Sequence, residues 1–109
     1  MSEVYDHTIL ALAEPTRVRI VEMLALQPRR AGDIAGALGM SGPATSRHLK
    51  VLRKARLIED IAIESDARVR VYQLRKEPFA ELHSWVERIE SLWTGQLDAF
   101  RDHVERAGE

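Results

Sequence analysis

The sequence predicts an α+β fold, mainly α, of about five helices and a two-stranded β-hairpin, and three observations predict it. Two short amphipathic segments, 30–38 and 41–54, meet at a tight turn containing Gly39. Two runs rich in β-branched residues, 57–63 and 68–74, are separated by turn chemistry at Glu64-Ser65-Asp66-Ala67. The final stretch carries apolar residues at steps of three and four for nearly 30 residues.

The first helix spans residues 4–13, with Val4, Ile9, Leu10 and Leu12 as its expected apolar contacts. Glu14-Pro15 ends it, because the residue before a proline is pushed out of the α region. Pro15 then opens a second helix that runs to Leu26 with Val18, Ile20, Val21 and Leu24 inward, and Pro28 closes it. His7 has no neighbour at metal-ligand spacing and reads as a surface or interface residue.

Residues 30–38, RAGDIAGAL, form a third helix with Ile34, Ala35 and Leu38 inward and Gly39 as a left-handed C-cap. Ser41 is the N-cap of the fourth, and Pro43 sits in its first turn, where a missing donor costs nothing. Thr45, Leu49 and Leu52 share its buried face. The opposite face holds Ser46, Arg47, Lys50, Arg53 and Lys54, and no acid occurs from Ser41 to Ile58. A solvated basic face is the bland account of such a helix. Its place behind a second short helix and a Gly turn favours a helix-turn-helix instead, with a recognition helix whose first turns enter a major groove about 12 Å wide.

The hairpin follows directly, with Arg68 and Arg70 near its tip, and so reads as a wing able to reach a DNA backbone or minor groove. Asp66 beside them weakens its positive field. The last helix, about 78–106, begins at Glu77-Pro78 and carries Phe79, Leu82, Val86, Ile89, Trp93, Leu97, Phe100 and Val104 along one stripe. At about 1.5 Å per residue it is roughly 45 Å long, more than a domain of about 25 to 30 Å can cover. A second copy is the expected partner, through Val4, Leu82, Val86, Ile89, Trp93, Leu97 and Phe100. Two recognition helices would then read half-sites about 34 Å apart. A membrane surface is a poor alternative, because the polar face of this helix is acidic.

The 109 residues are expected to form a single domain, 1–109. A composition 45% apolar and 30% charged argues against disorder. Glu3 and Asp6 stand where a leader would be cationic, and no apolar run reaches a membrane span, so the expected location is the cytoplasm and no membrane partner is expected. A net charge of −1 conceals a polarised chain. Arg29, Arg30, Arg47, Lys50, Arg53, Lys54 and Arg56 face Asp33 alone between positions 27 and 56, whereas residues 77–109 are dominated by acids. That basic middle is what bears on a nucleic-acid partner.

No cofactor is expected. With no cysteine there is no thiolate metal site. His83 with Glu87, four residues on, is the geometry of a surface hydrogen bond. No phosphate-cradling loop or zinc-protease motif occurs, and Ser46 and His48 point apart on their helix, so an enzyme is not expected. The alternative to DNA binding is a winged-helix module whose basic face takes an acidic protein partner.

The runs LAEPTRVRIVEML and AGDIAGALGMSGPATSRHLKVLRKARLIE, the strand RVRVYQL and the long terminal helix together resemble the ArsR/SmtB family of bacterial winged helix-turn-helix repressors, across roughly residues 5–105. Among its members the chain is most similar to the cysteine-free, SdpR-like type. The resemblance implies a homodimeric repressor on an imperfect palindrome in double-stranded DNA, often at its own promoter, with any small-molecule effector unknown. It places base contacts at Gly42, Pro43, Ser46 and Arg47, with His48 as a neighbour, and phosphate contacts at Ser41, Thr45, Lys50, Arg53, Arg68 and Arg70. Many relatives carry Gln at the position of Gly42, able to pair with adenine, so base reading here shifts to Ser46 and Arg47. Thr45 replaces a usual apolar residue, with a hydroxyl able to bond back to its helix. Arg56 stands where glycine is common. The family's Asp-x-His and His-x-x-Glu metal spacing is not met by His83 and His103.

Overall fold

The computed structural model describes residues 3–63 and 66–108, the side chains of 3–5, 63 and 66–68 excepted. The elements run α1 (Glu3–Leu12), α2 (Pro15–Leu26), β1 (Arg29–Arg30), α3 (Ala31–Leu38), α4 (Gly42–Lys54), β2 (Ile58–Ile63), β3 (Asp66–Leu74) and α5 (Lys76–Ala107). Ile20 and Leu24 of α2, Ile34 of α3, Leu49 and Leu52 of α4, and Leu57 and Ile58 at the start of β2 form one buried cluster. The residues from α2 are four apart and those from α4 three apart, as a single inward stripe requires. Glu14 caps α2, its Oε2 accepting from the Arg17 amide at 3.0 Å.

Three expectations need correction. The sheet has three strands, not two: β1 pairs antiparallel with β3, Arg29 opposite Tyr72 and Arg30 opposite Val71. A two-residue strand has no alternation to reveal it in sequence. β3 starts at Asp66 rather than Arg68, and its pairing with β2 shifts register between Ala62 and Ile63; Glu64 and Ser65 of the expected turn lie outside the described residues. On α1 the inward residues are Thr8 and Ala11, while Ile9 and Leu10 are exposed. Leu12, as expected, is half-buried against the core, so the inward stripe of α1 runs through Thr8, Ala11 and Leu12.

From Val86 to Ala107 every residue of α5 is exposed, including Ile89, Leu92, Trp93, Leu97 and Phe100. The chain is correspondingly elongated, 73 × 26 × 23 Å. Among the described residues no helix is long and apolar enough to cross a membrane.

Candidate nucleic-acid interface

The helix-turn-helix is set by local backbone chemistry. Gly39 adopts φ 64°, ψ 35°, a left-handed conformation that costs glycine little. The Met40 amide donates to the Ala35 carbonyl at 2.9 Å and the Gly39 amide to Gly36 at 3.4 Å, closing α3 with a Schellman motif. Two residues later Ser41 caps α4, its Oγ accepting from the Ala44 amide at 3.2 Å. These two caps bracket a three-residue turn, Gly39 to Ser41, between the helices.

Thr45, Leu49 and Leu52 are buried on the inward face of α4, and Ser46, Arg47, Lys50, Arg53 and Lys54 are exposed on the other. Thr45 is 1% exposed and its Oγ1 donates to the Ser41 carbonyl at 2.9 Å. Its hydroxyl is spent inside the helix, which corrects its assignment to a phosphate. Gly42 and Pro43 are exposed at the helix start, and a Cβ added at Gly42 would meet nothing within 4 Å. Among the described residues no carboxylate pairs with Arg47 or Lys50.

His48 departs from the expected role of a base-edge neighbour. Its ring is partly buried against α2, with Nδ1 3.4 Å from Arg17 Nη1 and 3.8 Å from Glu14 Oε2. Arg17 also donates through Nε to the Ala11 carbonyl at 2.6 Å, so one guanidinium touches the end of α1 and the middle of α4. Partial desolvation pushes the Glu14 carboxyl up, but the Arg17 amide, the His48 charge and the Thr16 groups together outweigh it and hold Glu14 below its ordinary value.

The wing is tied to the recognition helix by a residue that sequence reading passed over. Asp60 Oδ1 lies 3.5 Å from Arg53 Nη1 and its Oδ2 3.5 Å from Arg70 Nη1. Asp60 faces Tyr72 in the β2–β3 register, which puts Arg70 two positions away on the same sheet face, the diagonal neighbour of an antiparallel pair. Arg53 and Arg70 are thus brought together, both about half exposed. The side chain of Arg68 lies outside the described residues, as does that of Val4.

Of the other residues expected at a dimer contact, Leu82 is half-buried within the chain and Val86, Ile89, Trp93, Leu97 and Phe100 are exposed. His83 and Glu87 face each other at 3.3 Å on the surface, and among the described residues no group of three His, Cys, Asp or Glu is placed to hold a metal.

Residues 14–60 match the family model described as bacterial regulatory protein, arsR family. The chain is 38% identical over 104 residues to the HTH-type transcriptional regulator Rv2034 of Mycobacterium tuberculosis, covering 95% of this chain and 92% of that one. It is 40% identical over 55 residues to the transcriptional repressor SdpR of Bacillus subtilis, covering 50% of this chain and 61% of SdpR. Among solved structures it is similar to the homodimeric winged helix-turn-helix DNA-binding domain Mb0332 of Mycobacterium bovis, with a TM-score of 0.64, 26% identity, and coverage of 82% and 80% of the two chains.

Proposed function

The chain belongs to the ArsR family of bacterial regulatory proteins, and from that premise we propose that it works as a homodimer whose paired recognition helices occupy an imperfect palindromic operator, its own promoter being the first candidate. It is a DNA-binding transcriptional repressor and not an enzyme. One observation carries the mode of action: α4 presents Arg47 and Lys50, without a carboxylate partner among the described residues, beside a bare helix start at Gly42. That start lets the backbone approach the floor of a major groove closely. Ser46 and Arg47 read base edges, Arg47 taking a guanine through O6 and N7. Lys50, Arg53, Arg70 and Arg68 neutralise phosphates on either side, the Ser41 hydroxyl donates to one, and these contacts set the register of the protein on the duplex; the cytoplasm, where bacterial DNA lies, is the proposed location.

The exposed apolar stripe of α5 supports the dimer, because a patch of that extent on an isolated chain requires a cover. Packing two copies through α5 sets two copies of α4 on one face of the duplex, about 34 Å apart.

Fluorescence anisotropy of the purified protein on its own upstream DNA and on a scrambled duplex, across a salt series, tests this. The expected result is a preference of about 10³ or more for the upstream duplex with a steep negative salt slope. Equal weak binding to both, with no sequence enriched from random DNA, would overturn it.

A further inference from the structure

Lys54 and Arg56 are left without a part in DNA reading. The base-reading end of α4 is its N-terminus, and Lys54 follows Ser46 by eight residues, about 12 Å further along the axis. Arg56 lies beyond the helix end at φ 62°, a left-handed conformation that side chains rarely adopt. Among the described residues neither has a carboxylate partner.

Both line a recess of about 490 Å³ where the end of α4 meets the start of α5, together with His7, Arg75, Glu77 and Glu81. Arg75 and Glu77 pair there at 3.8 Å, so the open positive charge is that of Lys54 and Arg56, set against Glu81 alone. A second recess of about 560 Å³ adjoins it, sharing His7, Lys54 and Ala55. Its wall includes Leu10, Ala11 and Val51, of which Leu10 and Val51 are exposed apolar side chains. The two recesses adjoin as one groove, with Lys54 and Arg56 at the end of α4 and with Leu10, Ala11 and Val51 beside Arg17 on the α1 side, of a size usual for small-molecule sites.

We propose that this groove between α1, α4 and α5 binds a small amphipathic organic anion, an aromatic carboxylate or sulfonate in class. The anionic group sits on Lys54 and Arg56, and the apolar body lies on Leu10 and Val51. The groove also reaches Arg17, whose contact with His48 steadies the recognition helix, so its occupancy bears on DNA affinity. That last step rests on the repressor reading above; the binding itself does not.

The test is a fluorescence titration of the full chain, without DNA, using 8-anilinonaphthalene-1-sulfonate and its uncharged counterpart N-phenyl-1-naphthylamine. The sulfonate is expected to bind at least about tenfold more tightly than the neutral dye, a difference of about 1.4 kcal/mol. Lys54→Ala with Arg56→Gly abolishes that preference, and the charge-conserving pair Lys54→Arg with Arg56→Lys keeps it. Circular dichroism establishes that each variant is folded. Equal binding of the two dyes, or unchanged sulfonate binding by the folded Ala/Gly variant, would overturn the proposal and leave Lys54 and Arg56 serving only the C-terminal dipole of α4.

Discussion

Arg17 Nη1 lies 3.4 Å from His48 Nδ1, and through this contact α4 is held to a residue 31 positions earlier in the chain. The same guanidinium bonds the last turn of α1 through the Ala11 carbonyl. Arg17→Ala therefore removes two contacts of a charged donor at once. A loss of about 1.5–3 kcal/mol in urea denaturation is expected, since hydrogen bonds to charged groups contribute about that much. Arg17→Lys recovers only part of it, because an ammonium cannot span both acceptors with the planar fork of a guanidinium. Full stability in Arg17→Ala would show the bridge to be idle.

The proposed DNA reading assigns specificity to Arg47 and affinity to Lys50. Arg47→Ala is expected to relax preference at one base position per half-site at a cost of about 1–3 kcal/mol, whereas Lys50→Ala weakens all sequences alike and lowers the salt slope by about one unit per subunit. Anisotropy on a panel of single-base operator variants distinguishes the two. A change in preferred sequence on Lys50→Ala contradicts the division of roles. Loss of a protein partner from Arg47→Ala, with DNA binding unchanged, would favour a protein-binding module instead.

Substituting Ile89 and Trp93 by Glu is expected to split the dimer and reduce operator affinity together, read by sedimentation and by anisotropy on the same samples. Both side chains are exposed in the single chain, so the substitutions leave its core untouched. A monomer with undiminished affinity would refute reading by paired half-sites.

Arg56→Gly relieves a left-handed conformation in an L-residue. The Schellman bonds that hold it, from the Arg56 amide to Arg53 and from the Leu57 amide to Leu52, both 3.0 Å, are made by backbone and remain. Relief of about 1–2 kcal/mol, less the chain entropy of glycine at about 0.5–1, leaves a gain of roughly 0.5–1 kcal/mol. A raised melting temperature is the expected readout.

Glu14 governs part of the acid limb. Its folded carboxyl titrates below the ordinary value of 4.5, so its contribution is present above that value and is lost as pH falls through the lower, folded one. Glu14→Gln should flatten the stability profile in that acid range, measured by denaturant titration at stepped pH. An unchanged acid limb would mean that other carboxylates set it.

The helix-turn-helix is legible in the sequence because its determinants are local. Gly39, Ser41 and the spacing of Thr45, Leu49 and Leu52 each act within one or two turns, and the structure realises all of them. What is not legible depends on distant chain. β1 exists only because β3 passes beside Arg29 and Arg30. The outward turn of Ile9 and Leu10 is decided by how α1 lies on the core. Asp60 gains its two arginines from a strand register and a helix end, and His48 faces α2 because Arg17 and Glu14 are there. The Thr45 hydroxyl shows the reverse case: its bond to Ser41 is an i to i−4 contact, readable from spacing alone.

Pairing through the bare outer part of α5, as proposed, would make the regulator a counter of its own molecules. If two copies must associate before either grips DNA, then at dilute levels the fraction of operators filled rises with the square of the chain's concentration rather than in proportion to it. At a promoter that drives its own gene, such a response is nearly silent while copies are few and closes sharply once they pair, so the level at which synthesis stops is set by the strength of a helix-to-helix contact and not by the recognition helix alone.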